Sequence, residues 1–434
     1  MHVNGPGRNT RASARLRSKR SILIVIDGLT PSLFENAVGD RSAPTLSRLA
    51  EAGEYRRAIT TFPSLTPVCL TSIATGAHPD VHHIPHLVWW NRQEQRIVEY
   101  GSSFGAVRAA GARRSLRDTV FGMNHDHLSK EAETVYEAAD RAGLTAAAVN
   151  ITCYRGPHRY LPTVPGFSPP TFGPRRFFFY NLYESDPIGA RLAIRDRAGG
   201  SVDEYAAAAG RWLVTRDGFD LLVYYLSDLD FASHQLGPNG VREQLVKTDA
   251  SVRALVDAAG GFDDFLERYA VLVCSDHGQT NVHRAVRLED HVQGPAIVTA
   301  SNRAGMIYTG EPRLAAASLD AVDGVDAVFF VEDGGVVARR HGDDDPALLD
   351  EYPLGQERVT AALHNPNAGE VLVSAADGWE FADLGGMHHA GGGSHGSLTV
   401  CDSEVPMLGV GIDPPARTID VKDAMLASLL SPVP

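Results

Sequence analysis

The sequence predicts an α/β fold with a mainly parallel central sheet flanked by helices. Three observations lead there. Four short apolar runs, ILIVI (22–26), LTAAAVN (144–150), LLVYYL (221–226) and AVLVC (270–274), have the length and all-apolar character of strands buried on both faces. Helical patterns lie between them, and alternating strands and helices build parallel sheets. Three of the runs lead into acidic residues: Asp27 after the first, Asp228 and Asp230 after the third, and Asp276 after the fourth.

Residues 1–20 are basic and rich in Ser, Gly and Asn, which predicts a disordered tail. Residues 21–434 then read as a single domain. The run at 22–26 is too short for a membrane span, and Asp27 makes it a poor signal-peptide core, so the expected location is cytoplasmic. APTLSRLAEAG (43–53) is a helix stopped by Gly53, and PVCLTSIATG (67–76) is one that opens on Pro and closes on Gly. KEAETVYEAADRAG (130–143), VDEYAAAAGRWLVTR (202–216) and VREQLVKTDASVRALVDAAG (241–260) supply further helices. Residues 155–190, rich in Pro, Gly and aromatics and containing RRFFFYNLY at 175–183, are too long and irregular for a simple connection. They predict either a lid facing the substrate or a surface loop packed by its own rings. Strand-like runs and the acidic turn GDDDP mark 290–360 as a peripheral insertion.

A formal charge of −13 over 434 residues argues against a nucleic-acid polymer or an anionic membrane as partner. An anionic small molecule would need a local positive centre, and a metal ion is the economical source. The four cysteines, Cys69, Cys153, Cys274 and Cys401, are scattered without a CxxC pair, so no disulfide framework is expected.

In open α/β sheets, ligands bind beyond the carboxyl ends of the strands. Asp27, Asp230 and the pair Asp276–His277 fall there, and His234, four residues after Asp230, would share its face of a helical turn. Singly, each is an ordinary turn or cap residue. Together, carboxylates and imidazoles at three strand ends suit a metal such as zinc. The hydroxyl-rich stretch TTFPSLTPVCLTSIATG (60–76) opens a helix, and Thr66 before Pro67 would by itself be read as its N-cap.

These elements combine into a known pattern. VIDGL (25–29), PSLT through TG (63–76), DLDFASHQLGP (228–238), SDHG (275–278) and GSHG (393–396) occur in the order found in the alkaline phosphatase superfamily. The chain resembles that superfamily, and especially its nucleotide pyrophosphatase/phosphodiesterase branch. The resemblance implies an alkaline-phosphatase-like sheet and two divalent metal ions, zinc by preference. Asp230, His234 and His395 would hold one ion. Asp27, Asp276, His277 and the Thr66 oxygen would hold the other. It makes Thr66 the nucleophile of a hydrolase acting on small phosphate esters, a phosphodiester or pyrophosphate by preference, through a phosphothreonine. A phosphomonoesterase or phosphonate hydrolase of the same superfamily is the alternative, and a non-catalytic metal-binding protein ranks below both. Asn91 is the candidate for the family's phosphate-binding asparagine, and Asp228 is expected to support a ligand. His78, His82, His83, His86, His388 and His389 read as polar loop residues near the site. Pro67 departs from the family, which commonly has an N–H donor after the nucleophile and, in the diesterase branch, often an aromatic ring.

Overall fold

The computed structural model describes residues 19–101, 104–163, 168–185 and 200–430. The expected tail lies outside these residues, apart from its last two, and so do 164–167 and 186–190 of the expected lid. Among the described residues, the four apolar runs form neighbouring strands of one eight-stranded sheet. Its spatial order is Glu54–Ile59, Glu404–Val410, Tyr269–Cys274, Arg20–Ile26, Leu221–Leu226, Ala146–Val149, Arg176–Phe179 and Tyr183–Glu184. The five consecutive strands from Tyr269–Cys274 to Arg176–Phe179 run parallel. The strands beyond them pair antiparallel.

Both faces of this sheet are apolar, which is why the inner strands read as unbroken apolar runs. On one face, Ile22, Ile24 and Ile26 pack with Leu46, Leu49, Leu213 and Leu255 from the flanking helices. On the other, Leu23 and Val25 meet Leu70, Ile73, Tyr136 and Met425. The helices fall close to their expected places, at Pro44–Ala52, Thr66–Thr75, Val135–Arg141, Val202–Val214 and Arg242–Ala259. The third is shortened because Thr134 and Glu137 close a capping box at its start. No helix among the described residues is long and apolar enough to cross a membrane.

Two expectations change. The segment 175–183 is not a lid, because Arg176–Phe179 is a strand of the central sheet, parallel to Ala146–Val149. Phe177, Phe178 and Phe179 are 0%, 0% and 2% exposed, so three consecutive rings serve both faces of the sheet. The insertion is larger than 290–360. It is an antiparallel six-stranded sheet in the order Ala296–Ser301, Ala304–Thr309, Val371–Ala375, Val325–Glu332, Gly335–Arg340, Asp343–Asp344. It carries apolar clusters of its own, around Phe329 and Leu372 and around Val328 and Phe330.

The strand assignment is testable. Phe178→Ala should cost about 3–5 kcal/mol in urea unfolding, the range for emptying a buried aromatic site. A loss under about 0.5 kcal/mol, as for a surface substitution, would return this segment to the loop reading.

Candidate metal centre

The strand Arg20–Ile26 lies between Leu221–Leu226 and Tyr269–Cys274, so the residues following these three strands emerge side by side. Asp27 leaves the first. Asp230 and His234 sit on the helix Asp228–Leu236 that follows the second, and Asp276 and His277 follow the third. His395 arrives from the far end of the insertion, just after Gly393–Ser394. The structure collects these six side chains into two triplets, Asp27–Asp276–His277 and Asp230–His234–His395, with the ligand atoms of each within 4.8 Å of one another. Thr66 completes the first triplet, its hydroxyl 3.0 Å from His277 Nε2.

The imidazoles are held in one tautomer. His277 Nδ1 lies 3.0 Å from the Gly278 carbonyl, His234 Nδ1 2.9 Å from the Gly393 carbonyl, and His395 Nδ1 2.9 Å from the Ser64 carbonyl. A carbonyl only accepts, so each Nδ1 carries the proton and each Nε2 turns a lone pair inward. Those of His277 and His234 meet carboxylates, whereas that of His395 accepts from the Asn302 amide at 2.9 Å with a carboxylate further off. His277 Nε2 is 3.2 Å from Asp27 Oδ1 and 3.5 Å from Asp276 Oδ2. His234 Nε2 is 3.2 Å from Asp230 Oδ2, and His395 Nε2 is 3.9 Å from Asp230 Oδ1. Donors about 2.0–2.1 Å from a tetrahedral ion stand roughly 3.3 Å apart, so most of these separations are edges of a coordination polyhedron.

Asp27 Oδ1 and Asp276 Oδ2 are also buried without a hydrogen-bond partner. Orphaned acceptors facing a lone pair need a cation between them. The donor set therefore fits a divalent ion at each triplet. Electrostatics in the ion-free protein agree. Burial, with Asp276 and Asp230 nearby, holds the Asp27 carboxyl well above its usual range. Burial lowers His277, but the Asp276 and Asp27 carboxylates outweigh it and raise the imidazole to about 10.

The two triplets adjoin. The His277 and His395 rings stack 3.6 Å apart with a 9° interplanar angle. Gly28 is wedged between the triplets at φ +66, and a Cβ there would stand 2.9 Å from Asp230 Oδ1. Only glycine meets both demands, which explains the Asp-Gly pair after the first strand.

Thr66 does not act as a cap. It is the first residue of its helix, Leu65 holds the cap position, and no side-chain cap bond forms. Asn91 stays apart from the cluster. Its side-chain oxygen accepts the N–H groups of Gln93 and Glu94, both at 3.0 Å, and closes the hairpin between Val88–Asn91 and Arg96–Glu99. Asp228 caps the helix Val202–Val214 by accepting from Val202 N–H (3.3 Å) and Asp203 N–H (3.1 Å), rather than supporting a metal ligand. His82 and His86 are buried, and burial pushes them down to about 3 and about 4.

Sequence reasoning missed two supports of the aspartates and one amide that takes the His395 nitrogen when no ion is there. The Tyr225 hydroxyl donates to Asp27 Oδ2, the Gln279 amide donates to Asp230 Oδ1, and Asn302 Nδ2 lies 2.9 Å from His395 Nε2. Only Gln279, directly after SDHG, had a positional signal. Tyr225 is hidden inside an apolar strand, and Asn302 is brought in by the insertion.

Residues 21–398 match the family model described as type I phosphodiesterase / nucleotide pyrophosphatase. Among solved structures, the chain is similar to phosphonoacetate hydrolase from Sinorhizobium meliloti 1021 in complex with phosphonoformate. The TM-score is 0.66 at 18% identity, over 95% of this chain and 96% of that one. It is also similar to murine ectonucleotide pyrophosphatase / phosphodiesterase 5, with a TM-score of 0.62 at 14% identity over 96% of both chains. At these identities the two likenesses carry the fold. No curated protein matches the chain in sequence.

Dialysis against a chelator should lower the melting temperature, and zinc should restore it. An ion held at 100 times its Kd adds about 2.7 kcal/mol. A melting temperature indifferent to chelator and zinc would count against the centre. Asp228→Ala should cost about 0.5–2 kcal/mol as a lost cap while metal stoichiometry stays that of the parent protein. Loss of an ion in that variant would return Asp228 to the metal centre.

Proposed function

The chain belongs to the type I phosphodiesterase / nucleotide pyrophosphatase family, and from that membership we propose a two-metal hydrolase of small phosphate esters with Thr66 as its nucleophile. Phosphodiesters and pyrophosphates are the preferred substrates. The observation that carries this reading is the pair of adjoining triplets, with the Thr66 hydroxyl turned into one of them.

Thr66 is partly exposed, whereas Asp27, Asp276 and His277 behind it are buried. It is therefore the member of its group that faces an incoming substrate. It also opens a ten-residue helix, whose dipole favours negative charge on the threonine oxygen. When bound, two divalent ions, zinc by preference for this Asp/His set, supply the positive charge that favours the threonine alkoxide and neutralises the phosphoryl oxygens. Thr66 Oγ1 attacks phosphorus in line, the ester oxygen departs, and a phosphothreonine forms. Water attacks that phosphorus in the second step and regenerates the hydroxyl. Through their carbonyl-locked tautomers, His234, His277 and His395 keep their Nε2 atoms aimed inward throughout. The Asn91 Oδ1 is engaged in the hairpin, so its part in this scheme is limited to donation from Nδ2.

Two of the similar structures support a small phosphorus-bearing substrate. The murine protein is described in complex with AMP in an inactive threonine-to-alanine form, and the bacterial one in complex with phosphonoacetate. A phosphonate is the second reading, favoured by Pro67, which is buried at the helix start and offers no flat ring to a nucleobase. The four free cysteines suit a reducing compartment and the cytoplasmic assignment.

Thr66→Ala should remove turnover of nitrophenyl phosphodiesters and monoesters and of a carboxylated phosphonate, while elemental analysis still finds both ions. Retention of most activity would exclude Thr66 as nucleophile, and the ranking of the three substrates in the parent enzyme separates the two readings.

A further inference from the structure

Residues 389–395 enclose His234 on three sides. At the ring edge, the Gly393 carbonyl accepts from Nδ1 at 2.9 Å. His395 lies beside it, with ring centroids 5.3 Å apart. His389 lies against the outer face, centroids 4.0 Å apart and planes 28° from parallel. The segment comes this close because of its glycines. A Cβ on Gly392 would sit 2.1 Å from the His234 carbonyl oxygen, and one on Gly393 would sit 2.6 Å from Gln279 Oε1.

His389 is itself anchored. Its backbone N–H and its Nδ1–H, the latter at 3.0 Å, both donate to the carboxylate of Glu380 on the strand Gly378–Phe381. Glu380 is 0% exposed, while the His389 side chain keeps 26% exposure. Among the described residues that carboxylate makes no other hydrogen bond or ion pair. A buried carboxylate spent on one half-exposed loop histidine is unfavourable unless the pairing holds something in place.

What needs holding is His234. The His277 and His395 side chains are 0% and 3% exposed, and their rings brace each other in a stack. His234 is 15% exposed and stands at the end of this row of imidazoles. We propose that Glu380 and His389 are positioning residues for the ion held by Asp230, His234 and His395. The anchored His389 ring fixes the plane of His234, so that its Nε2 stays aimed toward Asp230 whether or not the ion is present. This inference rests on the two-ion reading above.

The test is titration of chelator-stripped protein with zinc or cobalt(II), followed by calorimetry or the cobalt absorption bands, so that it does not depend on turnover. The parent protein should take up two ions. His389→Ala should weaken one of them 10–100-fold, the range for losing an outer support of a metal ligand, and leave the other unchanged. Glu380→Leu, which keeps the His389 ring but removes its anchor, should weaken the same ion and leave the other unchanged. Equal affinities in His389→Ala and the parent would overturn the inference. So would a Glu380→Leu variant with the parent's affinity at both ions, since the anchor would then hold nothing that the ion needs. A parent protein that binds fewer than two ions would instead overturn the two-ion reading, and this inference with it.

Discussion

Three carboxylates, Asp27, Asp230 and Asp276, are gathered in the interior at the carboxyl end of one sheet, and their mutual repulsion is the constraint that organises the site. The fold could have relieved it with arginines, as it does elsewhere for Asp402 through Arg303. Here it offers imidazoles whose Nδ1 atoms are already bonded to carbonyls and whose Nε2 atoms face inward. That arrangement is tolerable only around a cation. Without an ion the proton on His277 fills this role in part, which is why the imidazole is raised to about 10 by its acidic neighbours. On the proposed two-ion reading, stability and catalysis draw on the same positive charge.

The sheet makes the gathering possible. Parallel neighbours deliver their following residues to one edge, so three separate stretches of chain meet without a long loop. The insertion closes the group from the side. It contributes Asn302 beside His395, and the strand Gly378–Phe381 just beyond its sheet carries Glu380. Strand-like runs reveal a sheet, but not which edge of it will lean on a distant histidine.

The strand ends were legible because an apolar run broken by an acid is a local signal, and because the Asp230–His234 spacing is helical. Asp228 shows the limit of that signal. Asp228 and Asp230 follow the same strand two residues apart, yet one turns to the metal side and the other to a neighbouring helix end. Only the histidine four residues on distinguishes them. The RRFFFYNLY stretch misled for a physical reason. A long segment rich in Pro, Gly and aromatics suggests an irregular excursion, whereas a parallel strand buried on both faces needs apolar residues at consecutive positions. Asn91 was drawn in by a resemblance whose spacing does not survive the hairpin that its side chain closes.

Pro67 bears on how charge would be balanced at Thr66, the proposed nucleophile. The residue after Thr66 has no N–H to offer a phosphoryl oxygen. The next two amides, of Val68 and Cys69, both donate to the Leu65 carbonyl, at 2.9 and 3.0 Å. This helix end therefore presents its dipole more than its hydrogen bonds. A dipole favours anionic oxygen without fixing its direction, whereas an amide donor does both. Direction must then come from the two triplets and from how firmly their ligands are held. Carbonyl-locked imidazoles, the Tyr225 and Gln279 contacts to the aspartates, and the stacked pair His277–His395 all serve that end. On the proposed mechanism, rigidity around the ligands takes over work that a backbone donor beside Thr66 would otherwise share.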